Sequence, residues 1–161
     1  MAIEAPISKH KKSNLKIYIG VCIVAAVVFA YDGYLSKYKW SKRYNFYKKH
    51  VLDNGGKPTA TMNFNRKSPP FFAGAAVLLG AYLFAVRNKK IIADESQLVL
   101  GAKEKIPYDS IQKIDKTYFD SKGYFTITYK DKDDRNLNRK LSDRTYDNLA
   151  AILNRLVERI T

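Results

Sequence analysis

Two long apolar stretches interrupt a chain that is otherwise dense in charge. From Phe71 to Val86 sixteen residues pass without a charged side chain, preceded by Pro69 and Pro70 and closed by Arg87, Lys89 and Lys90. Prolines are tolerated in a first helical turn, and a basic cluster suits the end of a helix that leaves hydrocarbon. The pattern predicts a transmembrane helix over residues 69–88. Its uncharged run rises about 24 Å, and the prolines and the aliphatic stems of Arg87 and Lys89 extend it toward a hydrocarbon core of about 30 Å. Residues 15–35 read the same way: Ile17 to Tyr31 is free of charge, with Lys16 at one end and Tyr31 and Tyr34 at the other interface. A cleavable signal peptide also fits this first stretch, with a basic leader, an apolar core and Val28-Phe29-Ala30 ahead of a cut.

Residues 1–14 carry Pro6, Ser8 and several lysines without periodicity, which predicts a flexible basic tail. Residues 36–68 form a basic aromatic loop between the two apolar stretches. Half-apolar rings beside cations are what a lipid headgroup layer selects, which makes Lys37, Lys39, Trp40, Lys42, Arg43, Tyr44, Lys48 and Lys49 candidate headgroup contacts. The first helix is expected to continue along the interface to about Val51, where Asn54-Gly55-Gly56 breaks it. Small residues let helix backbones approach, so Gly20, Gly74, Ala76 and Gly80 are candidates for packing one span on the other.

From residue 89 the period shortens. Ile91-Ile92-Ala93 and Gln97-Leu98-Val99-Leu100 flank the turn-like Asp94-Glu95-Ser96, a hairpin signal. Ile106 to Ile111 and Gln112 to Phe119 follow, then a turn at Asp120-Ser121-Lys122-Gly123. Tyr124 to Tyr129 alternates strictly, with Phe125, Ile127 and Tyr129 on one face, and Asn136 to Leu141 reads as a polar edge strand. About five strands result. Tyr146, Leu149, Leu153, Leu156 and Ile160 then recur at helical spacing after a cap at Ser142 or Asp143, giving a closing helix whose stripe covers the sheet.

Charge sharpens the membrane reading. Of a formal net charge of +14, residues 35–70 hold nine Lys/Arg against Asp53, whereas residues 71–161 hold sixteen against twelve acids. The excess therefore sits on the segments beside the spans, where each base near anionic headgroups contributes roughly 1 kcal/mol. A nucleic-acid binder would concentrate it on the folded domain, so no nucleic-acid partner is expected. The single cysteine, Cys22, lies in an apolar run and leaves no intrachain disulfide.

The chain offers little for catalysis. Asp131, Asp133 and Asp134 lie in DKDDRNLN, which lacks the glycine and distal Glu of a calcium loop. His10 and His50 stand singly, and Asp115, Lys116 and Tyr118 read as surface residues. There is no phosphate-cradling glycine loop, nucleophile elbow or zinc spacing. No cofactor, metal or small-molecule substrate is expected, and the chain is read as non-enzymatic.

Short antiparallel strands, the segment Ile-Pro-Tyr-x-x-Ile-x-x-Ile from Ile106 to Ile114 and one closing C-terminal helix resemble the small pleckstrin-homology-like (PH-like) domains of bacterial membrane proteins. In that family the module often follows a pair of transmembrane helices. A full fold of that kind has seven strands. The family's basic phosphoinositide loop is not matched, since Asp94 and Glu95 stand there, and no ligand site is carried over. The resemblance implies an α+β membrane protein, with two transmembrane helices and a PH-like β-roll over residues 89–161. It implies a scaffold or interaction protein at the bacterial inner membrane with both termini cytoplasmic. Basic residues alone lean the other way, seven near the termini (Lys9, Lys11, Lys12, Lys16, Arg87, Lys89, Lys90) against nine in the loop. Expected partners are anionic lipids. The alternative is an accessory subunit of a larger membrane complex, with other membrane subunits as partners.

Overall fold

The computed structural model describes residues 2–101 and 104–160. In chain order they form β1 (Ile3–Pro6), α1 (Lys9–Ala30), α2 (Tyr44–Tyr47), α3 (Ala60–Lys67), α4 (Pro69–Val86), β2 (Lys90–Ala93), β3 (Gln97–Leu100) and β4 (Glu104–Pro107). There follow β5 (Ile111–Asp115), α5 (Phe119–Lys122), β6 (Tyr124–Lys130), β7 (Asn136–Ser142) and α6 (Leu149–Ile160). The fold is α+β, and the chain divides into a sheet unit (residues 1–13 and 84–161) and a helical unit (14–83).

In the sheet unit β1-β2-β3-β4 form one antiparallel sheet and β5-β6-β7 a second. Alternation along β6 buries Phe125, Ile127 and Tyr129 while Tyr124, Thr126 and Thr128 stay partly exposed. On α6 the apolar stripe places Leu149, Ile152, Leu153 and Leu156 in the same core as Ile91, Leu98, Ile106 and Phe125. A fully buried side chain of this size contributes about 1.5–3 kcal/mol relative to exposure, so the stripe is what holds the helix to the sheets. Two buried tyrosines anchor polar ends. Tyr108 Oη donates to the Asp94 carbonyl at 2.7 Å, and Tyr129 Oη donates to Glu104 Oε1 at 2.8 Å. Burial, reinforced by the bond to Glu104, pushes the Tyr129 hydroxyl up to about 12.

Three expectations change. Within the stretch read as a flexible tail, Ile3–Pro6 is an edge strand paired with β2, with Ala5 opposite Ile91 and Pro6 opposite Lys90. Asn148 Nδ2 donates to the Glu4 carbonyl at 3.1 Å, Asp147 N to the Pro6 carbonyl at 2.9 Å and Ser8 N to the Thr145 carbonyl at 2.8 Å. A proline can occupy such a strand because an edge leaves its missing N–H outside the ladder. The segment from Gln112 to Phe119 is not one strand: β5 ends at Asp115, and α5 forms a single turn closed by Gly123 at φ 69. The last helix starts at Leu149 rather than at Ser142 or Asp143, because Ser142 is the final residue of β7, opposite Tyr124. Tyr146 consequently lies before the helix and makes a bridge to Ile7. The described residues form seven strands where about five were expected, with β1 among the additions.

Within the helical unit α1 runs without a break into a π-helical turn, Tyr31–Leu35. The stretches Lys9–Leu35 and Ala60–Val86 are each 27 residues, about 40 Å of helical rise, long and apolar enough to cross a membrane. Only 6% and 11% of their most apolar windows are buried, unlike the core helix of a soluble protein. The interfacial helix expected to reach Val51 is interrupted: turns occupy residues 36–43, followed by α2 and a second π-helical turn, Lys48–Leu52. Gly55 and Gly56 then take φ of 67° and 79°, as the Asn-Gly-Gly break requires. A separate short helix, α3, precedes the second span, with Thr59 Oγ1 accepting from Met62 N as its cap, and α4 itself begins at Pro69.

Candidate membrane-interface site

The basic aromatic loop is built around one ion pair. Asp32 is buried at the end of the first apolar stretch, and Arg43 reaches it with two parallel bonds, Nε to Oδ1 at 2.8 Å and Nη2 to Oδ2 at 2.7 Å. This fork geometry fixes orientation as well as charge, and hydrogen bonding to Asp32, then its negative charge, holds the Arg43 guanidinium above its ordinary pKa. The neighbouring polar groups close the turn. Ser36 Oγ donates to the Asp32 carbonyl, Ser41 Oγ donates to Tyr31 Oη at 3.1 Å, and Arg43 N donates to Ser41 Oγ at 3.2 Å. The Ser36 bond reaches four residues back, as a serine in a helix can, while the Ser41 and Arg43 bonds tie residues 41–43 to Tyr31 and to each other.

A second contact joins the turn to α3. Gly33 packs so closely that a Cβ there would stand 2.7 Å from the Asn65 carbonyl oxygen and 3.0 Å from Arg66 N. Arg66 Nε donates to the Gly33 carbonyl at 3.1 Å, and Tyr34 Oη donates to the Arg66 carbonyl at 2.5 Å. Phe29 meets Phe64 edge-on at 5.3 Å and Phe72 at 5.5 Å. His50 is a framework residue, with Nδ1 3.0 Å from Thr59 Oγ1 and its ring 4.4 Å from Phe46.

On this framework Lys37, Lys39, Trp40 and Lys42 are exposed on the turn, with Tyr38 and Trp40 stacked at 5.6 Å and Lys37 Nζ 5.0 Å over the Tyr38 ring. Trp40 is 69% exposed, an unfavourable place for an indole in water and a suitable one in a headgroup layer. Lys48 and Lys49 are exposed on the separate turn Lys48–Leu52, and Tyr44 is half-buried beside Tyr47. Arg43 differs from the other candidates, since its guanidinium is committed to Asp32 and lies 4.9 Å over Phe46.

Among the described residues, nothing outside their own helix backbone and chain neighbours lies within 4 Å of a Cβ built on Gly20, Gly74 or Gly80, and Ala76 is buried. The close approach is at Gly33, and its signal was the unusual Asp-Gly pair inside an apolar block. Comparison with protein-family models, with curated proteins and with solved structures finds no match.

Proposed function

We propose that the chain is a non-enzymatic integral membrane protein whose two long helices cross the bilayer as a hairpin and hold a PH-like roll at its surface as a scaffold or interaction module. The observation that carries this reading is the pairing of β1 with β2. One sheet takes a strand from before the first apolar helix and resumes with three residues intervening after the second, so both outer ends of the hairpin belong to the same folded unit. Two crossings return the chain to the side it started from, and the loop with Trp40 faces the other headgroup layer. The same pairing weighs against cleavage after Ala30, which would remove β1 and leave the Ile91 edge open. Four plus three strands closed by one C-terminal helix support the PH-like likeness more closely than five strands did. Our reading, following what that likeness implies, is a bacterial inner-membrane protein with both termini cytoplasmic.

A second reading, an accessory subunit of a larger membrane complex, is favoured by the open space beside Gly20, Gly74 and Gly80, which leaves those helix faces for other spans. Extraction in a mild nonionic detergent followed by size analysis separates the two. The scaffold reading predicts a monomer or small oligomer that aggregates when detergent is removed; a discrete large assembly would favour the subunit.

A further inference from the structure

We propose that the sheet unit carries a site for a singly charged carboxylate, formed by Arg155 on α6, Asn148 just before that helix and the outer edge of β1. The site lies wholly within the sheet unit and does not depend on whether the long helices cross a bilayer. On α6, Arg155 follows Ile152 by three residues and precedes Leu156 by one, both of them fully buried, so its aliphatic stem runs along the flank of the apolar stripe. The side chain is only 18% exposed, and Nε is buried with no hydrogen-bond partner among the described residues. Its ion pair with Glu158 is a long one, 4.0 Å from Nη1 to a carboxylate that is itself 68% exposed. A buried donor on a charged group is satisfied in nearly every folded protein, so Nε calls for an acceptor. With Glu158 on the Nη1 side, Nε and Nη2 are left as a planar fork, the same two nitrogens with which Arg43 grips both oxygens of Asp32.

The guanidinium lines a pocket of about 470 Å³ together with Ala2, Ile3, Glu4 and Asn148, a size that suits a small ligand. Charge sets the class of anion. Glu4 is already paired with Lys90, so Arg155 supplies the positive charge that a ligand meets. One negative charge balances it, whereas a doubly charged phosphate would stand beside the Glu4 carboxylate and face a single cation. Hydrogen bonding sets what lies next to the carboxylate. Strand β1 is the end of its sheet, and Asn148 Nδ2 donates to the Glu4 carbonyl at 3.1 Å while Asp147 N donates to the Pro6 carbonyl at 2.9 Å. These alternate positions therefore face away from β2, which turns the Glu4 N–H outward as well. Asn148 Oδ1 offers an acceptor and the Glu4 N–H a donor, the two groups an amide requires. The ligand class is an N-acylated amino acid with a free carboxylate, either a small molecule or the last residue of a polypeptide.

The test titrates the full isotope-labelled chain in nonionic detergent and follows the arginine Nε–H signals by NMR. The probes are N-acetylalanine, N-acetylalaninamide, inorganic phosphate and a hexapeptide that ends in a free alanine carboxylate. N-acetylalanine is expected to shift the Arg155 Nε–H signal, with the amide and phosphate at least about tenfold weaker, the scale of one charge-assisted bond. Arg155→Lys keeps the charge but loses the fork, and should weaken N-acetylalanine at least about tenfold. Arg139→Lys, on β7, should leave binding unchanged. A hexapeptide at least about tenfold tighter than N-acetylalanine assigns the carboxylate to a polypeptide end, through the β1 edge; equal or weaker binding assigns it to a free acid. Should Arg155→Lys fold poorly, Glu4→Ala carries the test, because removing that acid should narrow the discrimination against phosphate while N-acetylalanine still binds. An unmoved Arg155 signal, equal binding of the amide, binding that survives Arg155→Lys, or a phosphate discrimination untouched by Glu4→Ala overturns the proposal.

Discussion

Replacing Ala5 by Asp, or deleting residues 2–7, is expected to unfold the sheet unit although only a short edge strand is touched. Ala5 is fully buried opposite Ile91, in the same core as Leu98 and Leu156. A carboxylate placed there has no partner among its neighbours, and an unpaired buried charge costs several kcal/mol against a total stability of about 5–15 kcal/mol. The deletion acts differently: it exposes the N–H and carbonyl groups of β2 and removes the acceptors of Asn148 and Asp147. Glu4→Ala is the control, because the Glu4–Lys90 pair is exposed on both sides and worth at most about 1 kcal/mol. Limited proteolysis in detergent reads the result. Rapid cleavage within residues 91–160 is expected for Ala5→Asp and the deletion, and wild-type resistance for Glu4→Ala. A resistant Ala5→Asp chain would mean that β1 is not part of the core.

The second large effect is expected at Gly33. All three atoms nearest to its missing Cβ are main-chain atoms of Asn65 and Arg66, so none can swing aside as a side chain would. Gly33→Ala must push α3 away from the turn, which strains the Arg66–Gly33 bond and the packing of Phe29 on Phe64. Overpacking of this kind costs about 1–3 kcal/mol. Gly20→Ala provides the contrast: nothing lies within 4 Å of its new methyl group, and alanine gains up to about 1 kcal/mol over glycine inside a helix. Trp40, the single tryptophan, reports from the loop in both variants. Its fluorescence transition should move to lower temperature in Gly33→Ala and hold or rise in Gly20→Ala; the reverse order would remove Gly33 as the point of closure.

What could be read from the sequence was what depends on neighbours along the chain. The uncharged runs before Tyr31 and before Arg87 announce long apolar helices, and the alternation of Phe125, Ile127 and Tyr129 announces a strand, because each pattern repeats within a few residues. β1 has no such signature. Four residues, Ile-Glu-Ala-Pro, become a strand only because Lys90 to Ala93 offers a free edge more than eighty positions away. The start of α6 was misplaced for a related reason: Ser142 and Asp143 look like caps locally, but pairing of Ser142 with Tyr124 extends β7 through that point. In the loop, the interleaved basic and aromatic residues predict an interfacial helix to Val51, but Asp32 and Arg43 close on each other across the turn. Lys37, Lys39, Trp40, Lys42, Lys48 and Lys49 are exposed, and Arg43, half exposed, is engaged by the buried Asp32, a pairing that spans eleven positions and leaves no local pattern.

The central claim is that β1 and the rest of the sheet unit share one side of a bilayer and the Trp40 loop the other. Cysteine accessibility in sealed vesicles of known orientation tests it most directly, using Ala2→Cys, Lys39→Cys and Lys132→Cys singly in a Cys22→Ser background with a membrane-impermeant maleimide. Positions 2 and 132 are expected to label together from one face and position 39 only from the opposite face. Labelling of all three from the same face would contradict the account.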